Sequence, residues 1–350
     1  MAALAVRATR QLGTLTLGVL LLAFSVGPAA QGEYPFRNST LPIEARVTNI
    51  LSLMTLEEKL ACLTTSTAVP RLGIPNAGNS EGLHGLVRRE TADRPGVPTT
   101  SFGQVVGMGA TWDRALIERA GEVQGDEARY ITQHDKVPVL VVWGPNADLS
   151  RDPRWGRNEE SFGEDSFLTG TLSAAFVRGM QGTDPKFWRA ASLMKHFLAN
   201  SNETTRGSSS SDFDERLFRE YYSVPFRLGF AAGARSFMAA YNAMNRVPMT
   251  VHPVLNDVVA TEWGTDGIVS SDTRAIPLMV SAHKYFKTEN DAIGAAIHNG
   301  INQILWPRVD IPQVARAALD AGAFNEPELD RVLRGKFRTV IRLGLLDPPD

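Results

Sequence analysis

The feature that most constrains this 350-residue chain is an alternation between short apolar runs and longer stretches of helical periodicity. Val137 to Trp143 (VPVLVVW) is a continuous, β-branched run, as expected for a strand buried on both faces. Ala190 to Phe197, Ser236 to Tyr241, Gly267 to Ser270 and Ile301 to Trp306 are shorter runs of the same kind. Helical periodicities over 113–131, 162–180, 216–232, 253–263, 291–299, 311–321 and 327–343 accompany them. Alternation of this sort predicts a parallel sheet covered by helices. The expected α/β fold is a single (β/α)8 TIM-type barrel, which takes about 250 residues plus insertions. A doubly wound open sheet is the competing fold. It would carry a Gly-rich phosphate turn after an early strand, and neither GxGxxG nor GxxxxGK[ST] occurs.

The first 30 residues stand apart from that pattern. Arg7 and Arg10 precede the apolar run Leu15 to Val26, and small residues follow at Gly27, Ala29 and Ala30. That reads as a signal peptide cleaved near Ala29 or Ala30, with an uncleaved anchor as the weaker alternative because the run is short for a bilayer span. The chain is then expected to be exported, periplasmic or extracellular, and free of the membrane after cleavage, with residues 31–350 forming the barrel domain. Lys plus Arg total 36 against 38 Asp plus Glu, so no basic excess points to a nucleic-acid partner. A single cysteine, Cys62, excludes an intramolecular disulfide framework. Six scattered histidines with no HxH or HExxH pair predict no metal, and no other cofactor is expected.

Polar residues crowd where the apolar runs end. The run at 137–143 leads into GPNADLSRDPRWGRNEESFGED, whose prolines and Trp155 imply a fixed shape rather than a merely solvated loop. Lys195 and His196 sit inside the run Leu193 to Leu198, although lysine is almost never fully buried without a partner. Taken alone, they read as a buried ion pair or a satisfied core histidine. Tyr241 alone reads as packing. Asp272 alone reads as the N-cap of a helix starting near Ala275. Glu81 and His84 lie in a Gly-rich turn, SEGLHG, with ordinary turn duties as the default. Together, Glu81, Arg157, Lys195 with His196, Tyr241 and Asp272 are read as falling just after five different apolar runs, and in a barrel such positions share the C-terminal face where active sites are built. Carboxylates, fixed cations and an aromatic without a metal cluster suit glycoside hydrolysis.

At these residues the chain resembles the N-terminal barrel domain of glycoside hydrolase family 3, the β-glucosidase and β-xylosidase family. The resemblance rests on MTLEEK at 54–59, RLGIP at 71–75 with SEGLHG at 80–85, and RDPRWGRNEESFGED at 151–165. It continues through KHFLANSNETTR at 195–206, AAYNAMN at 239–245, WGTDGIVSSDTRA at 263–275 and LRGKFRTVIRLGLLDPP at 333–349. It implies that Asp272 is the nucleophile forming a covalent glycosyl-enzyme. It further implies that Arg157, Lys195 and His196 hold hydroxyls of the sugar in the −1 subsite, that Tyr241 packs beside the anomeric carbon, and that Glu81 binds hydroxyls on the far side of the ring. Retention of configuration would follow, with the two catalytic carboxyls about 5–5.5 Å apart. The implied substrates are plant-type β-xylo- or β-gluco-oligosaccharides and aryl β-glycosides, cleaved from one end.

The sequence departs from the family at several points. Arg246 stands where the family usually has Gly, and Asn302 stands where Asp is common. The chain stops where the family continues into a second α/β domain that supplies the general acid/base, so that sandwich domain is expected to be absent. Three readings stand: a fragment, a substitute carboxylate such as Glu203, Asp212 or Asp214, or a separate chain that completes the site. SEGLHG leans towards β-xylosides, because glutamate fills space that a hydroxymethyl group would need, whereas NETTR is glucosidase-like. A catalytically incomplete sugar-binding barrel is the alternative function.

Overall fold

In a computed structural model, residues 34–88 and 96–347 are described; the signal peptide assigned to 1–30 lies outside the described residues. The sheet is built from β1 (Asn79–Glu81), β2 (Val141–Asn146), β3 (Ala191–Phe197), β4 (Ser236–Ala239) and β5 (Val269–Ser271). All neighbours are parallel, and spatial order follows chain order. A doubly wound sheet reverses its strand order at a switch point, so this succession excludes it. Every residue of β3 is buried, as a strand covered on both faces requires.

Beyond β5 the wall continues without a regular ladder. Gln303 forms a parallel bridge with Ser270, and the Ile304 N–H donates to the Leu63 carbonyl at 2.8 Å. Thr67 then receives the Ala77 N–H on Oγ1 at 2.8 Å, two residues before β1. The curled parallel sheet and its helices thus form the expected α/β barrel-like fold, with part of the ring made by side-chain and single backbone bonds.

Local departures have local causes. The strand expected at 137–143 lies at Val141–Asn146, because Pro138 cannot donate to a ladder and Asn146 pairs with Lys195 of β3. The run at 301–306 contributes one bridge, since the Asn302 side chain takes over the role of a ladder: Oδ1 accepts from Val269 N–H, and Nδ2 donates to the carbonyls of Gly267 and Val332. The helix expected over 216–232 is divided into Glu215–Leu217, a π-turn at Phe218–Tyr222 and Val224–Ala231. Pro225 lacks the N–H a continuous helix would use there.

Helices cover the sheet by close approach. A Cβ on Gly121 would lie 2.4 Å from the Phe176 carbonyl oxygen, so Arg114–Gln133 can touch Ser166–Gln181 backbone to backbone. Further along the same helical layer, Phe226 of Val224–Ala231 meets Phe197 of β3 edge-on at 5.1 Å, and Phe197 lies 5.5 Å from Phe237 of β4. These layers fix the strands whose ends carry the polar residues described next.

Candidate active site

Because the strands are parallel, their C-terminal ends open on one face. Glu81 ends β1, Lys195 and His196 lie near the end of β3, and Tyr241 and Asp272 follow β4 and β5. A cavity of about 370 Å³ brings together all six residues singled out from the sequence: Glu81, Arg157, Lys195, His196, Tyr241 and Asp272. It is also lined by Trp143, Glu160, Glu203 and Arg206. A smaller cavity of about 260 Å³ adjoins it through Glu81, Arg157, Glu160 and Lys195.

Arg157 reaches the cavity from the loop after β2, and that loop has the fixed shape its prolines and Trp155 imply. Ser150 N–H donates to the Gly163 carbonyl at 3.0 Å, Asn158 Nδ2 to the Asp152 carbonyl at 2.8 Å, and Trp155 is buried. Arg157 makes two parallel bonds to Glu160, from Nε at 2.8 Å and Nη2 at 2.6 Å. Burial works against the Arg157 charge, and the Glu160 carboxylate overrides it and holds the guanidinium fully protonated.

Lys195 is 2% exposed and donates from Nζ to Glu81 Oε2 at 2.5 Å. His196 is buried, with Nδ1 2.8 Å from Asp148 Oδ2 and Nε2 3.8 Å from Asp272 Oδ2. Burial, then the charges of Arg157, Lys195 and Arg206, keep its imidazole far from readily accepting a further proton.

Asp272 is 6% exposed. It is not the N-cap of the following helix: Ala275–Ser281 starts after Arg274, which adopts a left-handed φ of 62°. The Asp272 side chain instead takes the Thr273 N–H on Oδ1 at 2.6 Å. Oδ2 is buried and accepts no hydrogen bond of normal geometry among the described residues. Burial pushes the carboxyl above the ordinary aspartate range, while the Thr273 N–H, Lys195, the Tyr241 hydroxyl and Arg157 oppose that rise. Tyr241 is driven upward by burial and by the Asp272 charge, so its hydroxyl keeps its proton and remains a donor. The Arg206 guanidinium lies over the Tyr241 ring, 4.3 Å from its centroid, and helps to fix it.

Of the three carboxyls weighed as substitute acids, only Glu203 lines this cavity. It is bound to Arg206 at 2.8 Å, whereas Asp214 caps a short helix by accepting the Leu217 N–H and Asp212 accepts the Ser210 hydroxyl. The sequence reading gave no role to Asp148, Glu160, Arg206 or Trp143. Asp148 follows β2 by two residues, so the rule that found Asp272 would have found it had the end of β2 been placed at Asn146. Among the described residues there is no group of three or more His, Cys, Asp or Glu side chains suited to a metal ion. The arrangement offers a buried carboxylate, cationic and neutral donors around it, and an aromatic wall: the equipment for binding a polyhydroxylated ring and attacking one of its carbons.

Comparison with known proteins gives a consistent picture. The sequence pattern of the glycosyl hydrolase family 3 N terminal domain matches residues 43–337. Beta-D-xylosidase 3 of Arabidopsis thaliana is 33% identical over 328 residues, covering 89% of this chain and 42% of its own. A beta-glucosidase of Rhizobium radiobacter is 36% identical over 233 residues, covering 65% of this chain and 27% of its own. The structure of a GH3 exo-beta-xylosidase bound to a xylobiose aziridine activity-based probe superposes with a TM-score of 0.83 at 25% identity, covering 92% of this chain and 43% of that one. The chain thus spans less than half the length of the relatives it matches.

Proposed function

The chain belongs to glycosyl hydrolase family 3, and from that premise we propose that it acts on O-glycosidic bonds of β-xylosides or β-glucosides as a retaining, exo-acting glycosidase. Asp272 attacks the anomeric carbon, the bond to the leaving oxygen breaks, and that oxygen takes up a proton. Water then releases the sugar from Asp272 with overall retention. Lys195, His196 and Arg157 donate to ring hydroxyls, Glu81 accepts on the far side, and Tyr241 packs beside the reacting carbon. The observation that carries this reading is the buried, unpartnered Oδ2 of Asp272, which faces a cavity lined by those donors. The Glu81–Lys195 pair favours a xylosyl ring, because the longer acidic side chain occupies space a hydroxymethyl group would need. Relatives named for both sugars fit a preference worth only about 1–3 kcal/mol. The leader-like residues 1–30 support export.

A second reading, a sugar-binding barrel without turnover, draws on one observation. Glu81, Glu160 and Glu203 each have an oxygen engaged by a cation, at Lys195, Arg157 and Arg206, and Arg157 holds the Glu160 carboxyl below the ordinary range against its burial. The acid is then expected from a carboxyl outside these three, on a second domain or another chain. Treatment with a 2-fluoro-xyloside carrying a good leaving group, followed by mass spectrometry, separates the readings. A glycosyl adduct on the peptide bearing Asp272, lost in Asp272→Asn, is expected. Sugar binding without an adduct would favour the binding module.

A further inference from the structure

Asp148 is a carboxyl of this region with no solvent exposure and, among the described residues, no Lys or Arg ion pair. Its side chain is fully buried, Oδ2 lies 2.8 Å from Nδ1 of His196 and 3.4 Å from the His196 backbone N–H, and Oδ1 accepts no hydrogen bond among the described residues. His196 Nε2 points the other way, 3.8 Å from the buried and unpartnered Oδ2 of Asp272. The three side chains form a row, carboxyl–imidazole–carboxyl, that runs inward from the cavity.

The charges around the row limit how many protons it holds. Lys195 is paired with Glu81, Arg157 with Glu160 and Arg206 with Glu203. Glu159 stands exposed on the rim, and the Tyr241 hydroxyl keeps its proton. These are the charged and titratable groups that line the cavity around the row. With the three cations matched one to one, two ionised carboxylates, Asp148 and Asp272, would be left buried on either side of one imidazole. If both were ionised and the imidazole carried a single proton, the ring would have to choose. A proton on Nδ1 satisfies Asp148 and leaves the Nε2 lone pair aimed at Asp272 Oδ2, acceptor against acceptor. A proton on Nε2 leaves Nδ1 against Asp148 in the same way. One additional proton removes both conflicts.

We propose that Asp148 is a positioning residue whose pair with His196 holds two protons at neutral pH, one between Oδ2 and Nδ1 and one on Nε2, so that Nε2–H is presented to Asp272 and to a bound hydroxyl. Whether the inner proton sits on oxygen or nitrogen does not alter this outcome, because both arrangements leave Nε2 protonated. Burial pushes the Asp148 carboxyl well upward against the pull of Arg157, in keeping with a proton retained there. The negative charge of the row then resides on Asp272, where the Thr273 N–H receives it. The protonation state follows from geometry and charge; its consequence for a sugar rests on the glycosidase reading.

The test is nitrogen NMR of the intact chain labelled with 15N-histidine, with His196 assigned by the signal missing from His196→Gln. Without any sugar, Nε2 is expected to be protonated at pH 7, and raising the pH should remove one proton from the pair in a single step. In Asp148→Asn that step should vanish while Nε2 stays protonated, because the amide nitrogen donates to Nδ1 as the protonated carboxyl did. A bare Nε2 in the wild type at pH 7 overturns the proposal, as does an unchanged step in Asp148→Asn. Should Asp148→Asn fail to fold, the wild-type spectrum decides by itself. Calorimetry with xylose supplies the functional arm: affinity should fall about tenfold across the step in the wild type and stay level in the variant, the scale expected for one charge-assisted hydrogen bond. Absence of xylose binding alongside the expected spectra would count against the glycosidase reading alone.

Discussion

At the scale of single residues, Lys336 is a cation buried for structural rather than chemical reasons. It lies on the helix Glu326–Arg342, is fully buried, and donates from Nζ to the carbonyls of Cys62 at 2.6 Å, Thr64 and Ser66. Those carbonyls belong to the segment that meets Ile304, so Lys336 holds part of the wall that no ladder secures. Burial pulls its ammonium from 10.5 down to about 8. Between those values the unfolded chain binds a proton the folded chain has released. Stability therefore rises with pH across that window, and the gain is lost as pH falls back through about 8. Lys336→Met should cost about 2–4 kcal/mol at pH 7 by leaving buried carbonyls unpaired, and the gap to wild type should widen between pH 8 and 10. Urea unfolding at several pH values measures both; a constant gap would refute the titration. Asn302 makes a related point about residue identity. Its amide bonds one N–H and two carbonyls, so an Asp there would lack the donors those carbonyls need.

At the scale of elements, the hairpin after β4 shows what one unusual residue costs. Ala243 pairs with Pro248 and Met244 with Val247, which leaves Asn245 and Arg246 as a two-residue turn. Both have left-handed φ, 48° and 69°, the geometry such turns require and that Asn-Gly supplies best. The Arg246 side chain is exposed, with Nε in a long 3.9 Å ion pair to Asp212 Oδ2, and its backbone N–H donates to Ser210 Oγ at 2.8 Å. Arg246→Gly should therefore stabilise the protein by up to about 1 kcal/mol, less what glycine adds to the entropy of the unfolded chain. A lowered urea midpoint would contradict that account. Elements also mark where the reading of the sequence ran short. GPN after the 137–143 run has the composition of a turn, yet Asn146 is drawn into the sheet by Lys195 of the neighbouring strand. A partner more than 40 positions away is invisible to local pattern, and the same error concealed Asp148.

At the scale of the whole molecule, the parallel order of β1 to β5 gathers polar residues from all five strand ends on one face, and the pairing of three carboxylates with three cations sets what that face can do. If no carboxyl of the described residues donates the proton, turnover by this chain should depend on how much help the leaving group needs. A dinitrophenyl xyloside should be cleaved readily, whereas an alkyl xyloside should be slower by at least the roughly 10²–10⁴-fold that general acid catalysis contributes. Comparable rates on the two would mean that a proton donor is present in the chain after all.

The sequence by itself located β3, β4 and β5 in its apolar runs and named six of the polar residues near the strand ends, while it placed β2 too early, showed no run at β1 and carried a run at 301–306 that forms only a bridge. Burial on both faces writes continuous apolar runs, and a parallel sheet sends every run's last residues to one side. Only the tertiary structure decided which carboxylate answers which cation. Glu81 and Lys195 are 114 positions apart and Asp148 and His196 are 48 apart, and such pairs depend on strand register and loop path rather than on local periodicity. That pairing leaves Asp272 without a cation of its own, in contact instead with an imidazole whose far side is held by Asp148.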